Sequence, residues 1–292
     1  MATTFVPGFG STTIGKAGFK GHFAQNNGDF RVRIKINDFG LRNPESVEKA
    51  GGRVWVVGDS FTFGWGVEQN EMYSSVIAQA LGTATYNVAS PGTNVCGYQA
   101  LIARMPAKVR PRAVVVGLTM ENDISLYDCN KADRKNTDKQ KAGESASRGD
   151  EAALLNPSLA GFKGLLFRQS AFYNVAITAM KRVQVINEWF VRLGLAAREH
   201  VDRKTIAANT VDAIAKSTAG ELVRLRNLLA PQTPLLVLLI PARFDIRDGA
   251  PVYRQLRQSM ARELSNRGLT FIDPFDEFKR AGFGPTHFPH DG

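Results

Sequence analysis

The chain has 292 residues, of which 43% are apolar and 22% charged, a balance that suits a globular chain with a large core in one or two domains. Its formal charge of +10 and pI near 9.7 favour acidic surfaces and polyanions. No stretch approaches the ~20 apolar residues of a membrane span. The start, Met1-Ala2-Thr3-Thr4-Phe5-Val6-Pro7, lacks the basic and apolar regions of a signal peptide. On these grounds the chain reads as cytoplasmic, or extracytoplasmic if an export segment has been removed. Two cysteines, Cys96 and Cys129, are too few for a disulfide framework. They lack zinc-ligand spacing, so buried free thiols are the default and a single bridge between them is the alternative.

Residues 1 to about 50 read as a β-rich appendage. Asn26-Asn27-Gly28 carries a hairpin signal, and Phe30 to Asn37 alternates apolar with basic residues. Val32, Ile34 and Ile36 are expected to face inward, with Arg31, Arg33 and Lys35 in water. The main unit, 51–292, opens with Val54-Trp55-Val56-Val57, a run fit for a strand buried on both faces, which ends in Gly58-Asp59-Ser60. A helix is expected over 71–81, with Tyr73, Val76, Ile77 and Ala80 on one face. Strand Thr85 to Val88 follows, then a turn-rich loop through Pro91-Gly92, a helix from about Tyr98, and strand Ala113 to Leu118 ending at Asn122-Asp123.

Residues 125 to about 230 interrupt this rhythm as a helical insertion. The basic cluster from Lys131 to Lys141 also holds Asp133 and Asp138 and has no interleaved aromatics. It reads as a solvated loop, so no nucleic-acid partner is expected. Phe172 to Leu193 is amphipathic, with Trp189 and Phe190 fit for a core or lid helix. A long helix capped by Asp202 or Thr205 should end before Pro231. Leu235 to Ile240 is a strand stopped by Pro241, Val252 to Asn266 a helix closed by Gly268, and Leu269 to Asp273 a fifth strand. The tail, 284–292, reads as a loop carrying His287 and His290. Strands alternating with helices imply βαβ units and a parallel sheet of about five strands.

Polar loops therefore recur at carboxyl ends of strands, where open α/β sheets bind ligands. Ser60, Gly92 and Asn122 sit on three of these ends. Gly, Asp and Ser are also ordinary turn residues, and what sets them apart is convergence on one crevice. A serine hydroxyl needs a base and oxyanion donors to act as a nucleophile. The backbone N–H groups of Ser60 and Gly92 and the Asn122 amide suit the donor role.

Gly58-Asp59-Ser60 after a buried strand, Asn87-x-x-x-x-Gly92, and Asn122-Asp123 together resemble the SGNH (GDSL) hydrolase superfamily, over residues 53–123. The resemblance implies a flavodoxin-like three-layer αβα fold and ester hydrolysis or acyl transfer, often on acetylated carbohydrates. Met120 departs from it where the family has Gly two residues before the Asn. The family places its base, a His, near the C-terminus, two or three residues after an Asp. Neither His287 nor His290 has that Asp. The tail Phe288-Pro289-His290-Asp291-Gly292 resembles the approach to an Asp-x-His pair, with Asp291 as orienting acid and the His next in line. The alternative is His290 or His287 as base with a different acid.

The expected activity is thus a serine esterase on an O-acyl, chiefly O-acetyl, ester of a small molecule or carbohydrate. The alternatives are an O-acyltransferase and a silent glycan-binding relative. A nucleotide-binding flavodoxin-like protein is disfavoured, since no Gly-x-Gly-x-x-Gly or Gly-Lys-Ser/Thr loop follows any strand, and no cofactor or metal is expected.

Overall fold

A computed structural model describes residues 1–24, 29–129 and 206–287. Its centre is a five-stranded, all-parallel sheet of β5 (Val54–Gly58), β6 (Thr85–Ala89), β7 (Ala113–Thr119), β8 (Leu235–Ile240) and β9 (Thr270–Ile272). The strand order is β6-β5-β7-β8-β9, the doubly wound order in which strand direction of winding reverses beside the first strand. That reversal opens a crevice at the carboxyl end of β5.

Pleat alternation sorts the sheet into two faces. Trp55, Val57, Tyr86, Val88, Val114, Val116, Leu118, Val237 and Leu239 join the main core. There they meet Tyr98 and Leu101 of helix α3 (Val95–Arg104), Leu222 and Leu225 of α4 (Val211–Asn227), and Tyr253, Leu256 and Met260 of α6 (Pro251–Asn266). The opposite face is met by α1 (Ser60–Phe63) and α2 (Tyr73–Leu81). Here Gly58 and Gly117 lie side by side in register. A Cβ on Gly117 would run into the Tyr73 hydroxyl and Thr62 Oγ1, and one on Gly58 into the Thr62 side chain. The two glycines let α1 and α2 approach the sheet this closely. With helices on both faces the fold is the expected three-layer α/β arrangement.

The N-terminal segment forms two antiparallel pairs, β1 (Ala2–Val6) with β2 (Gly10–Ile14) and β3 (Lys20–Ala24) with β4 (Arg31–Lys35). The strand β4 alternates as its residues dictate: Val32 and Ile34 are buried, and Arg31, Arg33 and Lys35 exposed. Phe23, Phe30, Val32, Ile34 and Ile36 pack with Phe63 and Ala89 as a second core. The Asn26-Asn27-Gly28 turn lies outside the described residues. The Asn43 side chain accepts from the Asn87 N–H at 2.9 Å and donates to its carbonyl at 2.8 Å, pairing a backbone that the edge strand β6 would otherwise leave open.

Several expectations need correction. Cys96 and Cys129 are joined by a disulfide, their Cα atoms 5.3 Å apart, so they are not free thiols. Helix α3 begins at Val95, three residues early, because Asn94 caps it by accepting from the N–H groups of Cys96 and Gly97. Helix α4 begins only at Val211, after a 3-10 turn over Ala208–Thr210. On α2 the expected apolar face is not sealed: Val76 is 51% exposed and Ala80 faces solvent. Part of the tail is helical, in α8 (Phe283–Thr286), which follows α7 (Phe275–Ala281). The basic cluster at 131–141, the Phe172–Leu193 stripe and the caps Asp202 and Thr205 lie outside the described residues, as do His290 and Asp291.

Candidate active site

A cavity of about 650 Å³ opens at the carboxyl ends of the strands. Ser60 lines it from the β5 loop, Pro91 from the β6 loop, Asn122 from the β7 loop, Arg243 from the start of α5 (Arg243–Asp248), which follows β8, and His287 from the C-terminal turn. Ser60, Asn122 and His287 are each half-buried, reachable from solvent yet set in the wall.

Ser60 is the first residue of α1, directly after Asp59. The Asp59 carboxylate accepts from the Phe61 N–H at 2.9 Å and so caps the turn that carries the serine. Burial pushes Asp59 up to about 6, against the backbone and Thr119 hydrogen bonds that favour its charged form. Thr62, two residues on, is wholly buried and shares a 2.7 Å hydrogen bond with the Tyr73 hydroxyl. Burial, with Asp59 and Asp123 nearby, drives the Tyr73 phenol upward, so Tyr73 enters the cavity wall as a neutral hydroxyl.

The Asn122 loop is held on both sides. Asp123 is fully buried and accepts from the Thr119 N–H at 2.8 Å and from the Tyr98 hydroxyl. Glu121 pairs with Arg243 at 3.0 Å and also accepts from the Arg243 N–H at 3.2 Å. Both ends of that pair are nearly shielded from water, where a charge left without its partner is costly. It ties the β7 loop to the start of the helix after β8, both residues lining the cavity. The Met120 side chain, at the departure from the family pattern, is buried in the main core.

Gly92 is placed differently from Ser60 and Asn122. It is solvent-exposed with φ +73°, a conformation that favours glycine, and its neighbour Pro91 is the residue that lines the cavity. The loop is braced from the appendage, where Thr13 Oγ1 donates to the Pro91 carbonyl at 2.8 Å. Asn87, the first residue of the same motif, has a structural part: its amide donates to the Thr62 carbonyl and its oxygen accepts from the Ala89 N–H at 3.1 Å.

His287 Nδ1 lies 3.1 Å from the Phe283 carbonyl and 2.9 Å from the Thr286 hydroxyl, and its ring stacks on Phe283 with centroids 4.0 Å apart. Aromatic rings form another part of the wall. Phe61 (48% exposed) and Trp65 (38% exposed) stand at the surface, and Phe30 comes from the appendage. Trp65 is propped by Phe23 of β3, their ring centroids 4.1 Å apart. Sequence reasoning overlooked Phe30, Trp65, Tyr73, Glu121 and Arg243. The proline-bounded end of β8 signalled a fourth loop at the crevice. Nothing in the sequence pointed from the appendage to the cavity. Among the described residues no His, Cys, Asp and Glu cluster could hold a metal ion.

No protein-family model and no curated protein matches this sequence. Among solved structures, the chain is similar to an acetyl xylan esterase from the rumen bacterium Butyrivibrio proteoclasticus. That likeness has 12% identity, a TM-score of 0.35, and coverage of 80% of this chain. The chain spans 57% of that esterase's length.

Proposed function

We propose that the chain is a serine-dependent esterase acting on an O-acyl, chiefly O-acetyl, ester, with Ser60 as nucleophile. The observation that carries this reading is the single cavity shared by Ser60, Asn122 and His287, three residues brought from distant parts of the chain. Ser60 Oγ attacks the acyl carbon while its proton passes to His287 Nε2. With the Nδ1 proton given to the Phe283 carbonyl, Nε2 carries the basic lone pair. The Asn122 amide and the Ser60 backbone N–H stabilise the oxyanion, and the Gly92 N–H, one residue past the cavity-lining Pro91, is the third candidate donor. The tetrahedral species collapses, the alcohol leaves with the proton held by His287, and water releases the acid from the acyl-enzyme. The exposed rings of Phe61 and Trp65 suit the apolar face of a sugar, which favours a carbohydrate ester. An acyl acceptor other than water would make the same acyl-enzyme a transferase.

The test is hydrolysis of p-nitrophenyl acetate together with labelling by a fluorophosphonate. Ser60→Ala is expected to abolish both, and unchanged turnover would remove Ser60 from the mechanism. Asn122→Ala should lower turnover about 100- to 1,000-fold with little change in KM, as expected for a donor used mainly in the transition state. Comparing His287→Ala with His290→Ala identifies the base, since only loss of the base should match Ser60→Ala.

A further inference from the structure

We infer that the exposed face of the β3–β4 ribbon binds an acidic polysaccharide and presents it to the Ser60 cavity. This identity rests on the esterase reading above, but the ribbon's charge does not. The outward residues of the ribbon are Lys20, His22 and Ala24 on one strand and Arg31, Arg33 and Lys35 on the other. In register, Lys20 lies opposite Lys35 and His22 opposite Arg33. In the Lys20–Lys35 pair like charges stand directly across the strands, which destabilises the pair, so this face is arranged at a cost to the fold. Arg33 is answered by Glu68 at 3.9 Å. Lys20, His22, Arg31 and Lys35 make no ion pair among the described residues. An external polyanion would relieve the repulsion.

Position and composition select the occupant. Phe30, the residue before β4, lines the cavity, and Phe23 of β3 supports Trp65 in its wall. Both rings lie on the inward side of the ribbon; the cationic face meets the edge of the cavity at Arg33, whose partner Glu68 follows the cavity-lining Val67, so a linear chain along that face borders the site. Apart from the His22 imidazole the face has no aromatic side chain, and no aliphatic one larger than Ala24, whereas a membrane-surface element needs an apolar face for the bilayer and single-stranded nucleic acid needs a series of stacking platforms. The Phe19 ring does not supply one, because it covers Gly21 on the inward side. A flexible polymer with regularly repeated carboxylates needs only the row of cations.

Binding is measured in a Ser60→Ala background, so that the result does not depend on turnover. Polygalacturonate is the probe, with neutral dextran, duplex DNA and phosphatidylglycerol vesicles beside it. The expected order places polygalacturonate first. Lys20→Gln/Arg31→Gln/Lys35→Gln should weaken its binding about tenfold or more at low salt, with a smaller loss at high salt. Hydrolysis of p-nitrophenyl acetate by the same triple variant with Ser60 intact should be unchanged. Lys20→Arg/Arg31→Lys, which keeps the charges, should bind as the parent does. Equal affinity for dextran, or binding unmoved by the triple variant, would overturn the proposal. Stronger binding of DNA or vesicles would overturn the glycan assignment. Polygalacturonate binding by a chain whose Ser60 proves unreactive would leave the ribbon site standing and the esterase reading fallen.

Discussion

Asp59 shows how one residue carries structural and electrostatic consequences together. Its carboxylate caps the turn at Ser60, yet burial raises it from the ordinary value of 3.8 to about 6. Between those values the folded chain keeps a proton that the unfolded chain has released. Raising the pH through that window strips the proton from the folded state, so stability falls, by roughly 3 kcal/mol if Asp59 acts alone. Asp59→Asn retains an oxygen that can accept from the Phe61 N–H. It is therefore expected to flatten the fall in melting temperature between about pH 4 and pH 6 and to raise stability at pH 7. Thermal melts of both proteins across that range check this, and an unaltered pH profile would show that Asp59 titrates normally. Arg42 carries a different lesson. It is wholly buried and donates to the carbonyls of Arg33, Phe63, Gly64 and Val67, so it holds the appendage to the turn after Ser60. In the sequence it is one basic residue in a polar turn, because its partners are backbone oxygens that leave no trace in residue type.

At the scale of elements, the parallel strands were legible because each is a short β-branched or leucine run bounded by turn residues. Helix starts were less so. The Asn94 cap was available to the eye but lay inside a loop already assigned to turn chemistry, whereas the late start of α4 has no comparable marker. The α2 face failed for another reason. Periodicity reports which residues share a stripe, not how much of the stripe a neighbour covers, and Val76 and Leu81 remain exposed. Close approach between elements is carried by the glycine pair in β5 and β7. Gly117→Ala would press a methyl group on the Tyr73 and Thr62 hydroxyls, behind the wall that bears Ser60. Overpacking of this kind costs about 1–3 kcal/mol. The variant should melt lower and lose activity by more than stability alone explains. Val116→Ile, which enlarges the other face of the same strand, provides the control: equal activity losses at matched destabilisation would mean that the approach of α1 and α2 does not shape the site.

For the whole molecule, the repeat of strand, loop and helix made the sheet and its crevice readable, but not the parts that come from outside the repeat. The appendage looked like a neighbour of the sheet. It is part of the site's surroundings, through Phe30 in the cavity, Thr13 beneath Pro91 and Phe23 behind Trp65. The cysteine pairing was hidden for a related reason: 33 residues separate Cys96 from Cys129, and only the winding of the chain brings them together. The bridge joins the start of α3, just after the Gly92 loop, to the segment leading away from Asn122. It thus links two of the loops proposed to surround the oxyanion. Such bonds persist in oxidising compartments, which argues for a site of action outside a reducing cytosol. Closing a loop of this length constrains the unfolded chain by an amount worth roughly 3–4 kcal/mol. Cys96→Ala/Cys129→Ala, or the parent under a reductant, should melt several degrees lower and turn over p-nitrophenyl acetate more slowly. A reductant should leave the double variant unaffected. If the parent melts at the same temperature with and without reductant, the bridge does not form in solution, and the argument for an oxidising compartment goes with it.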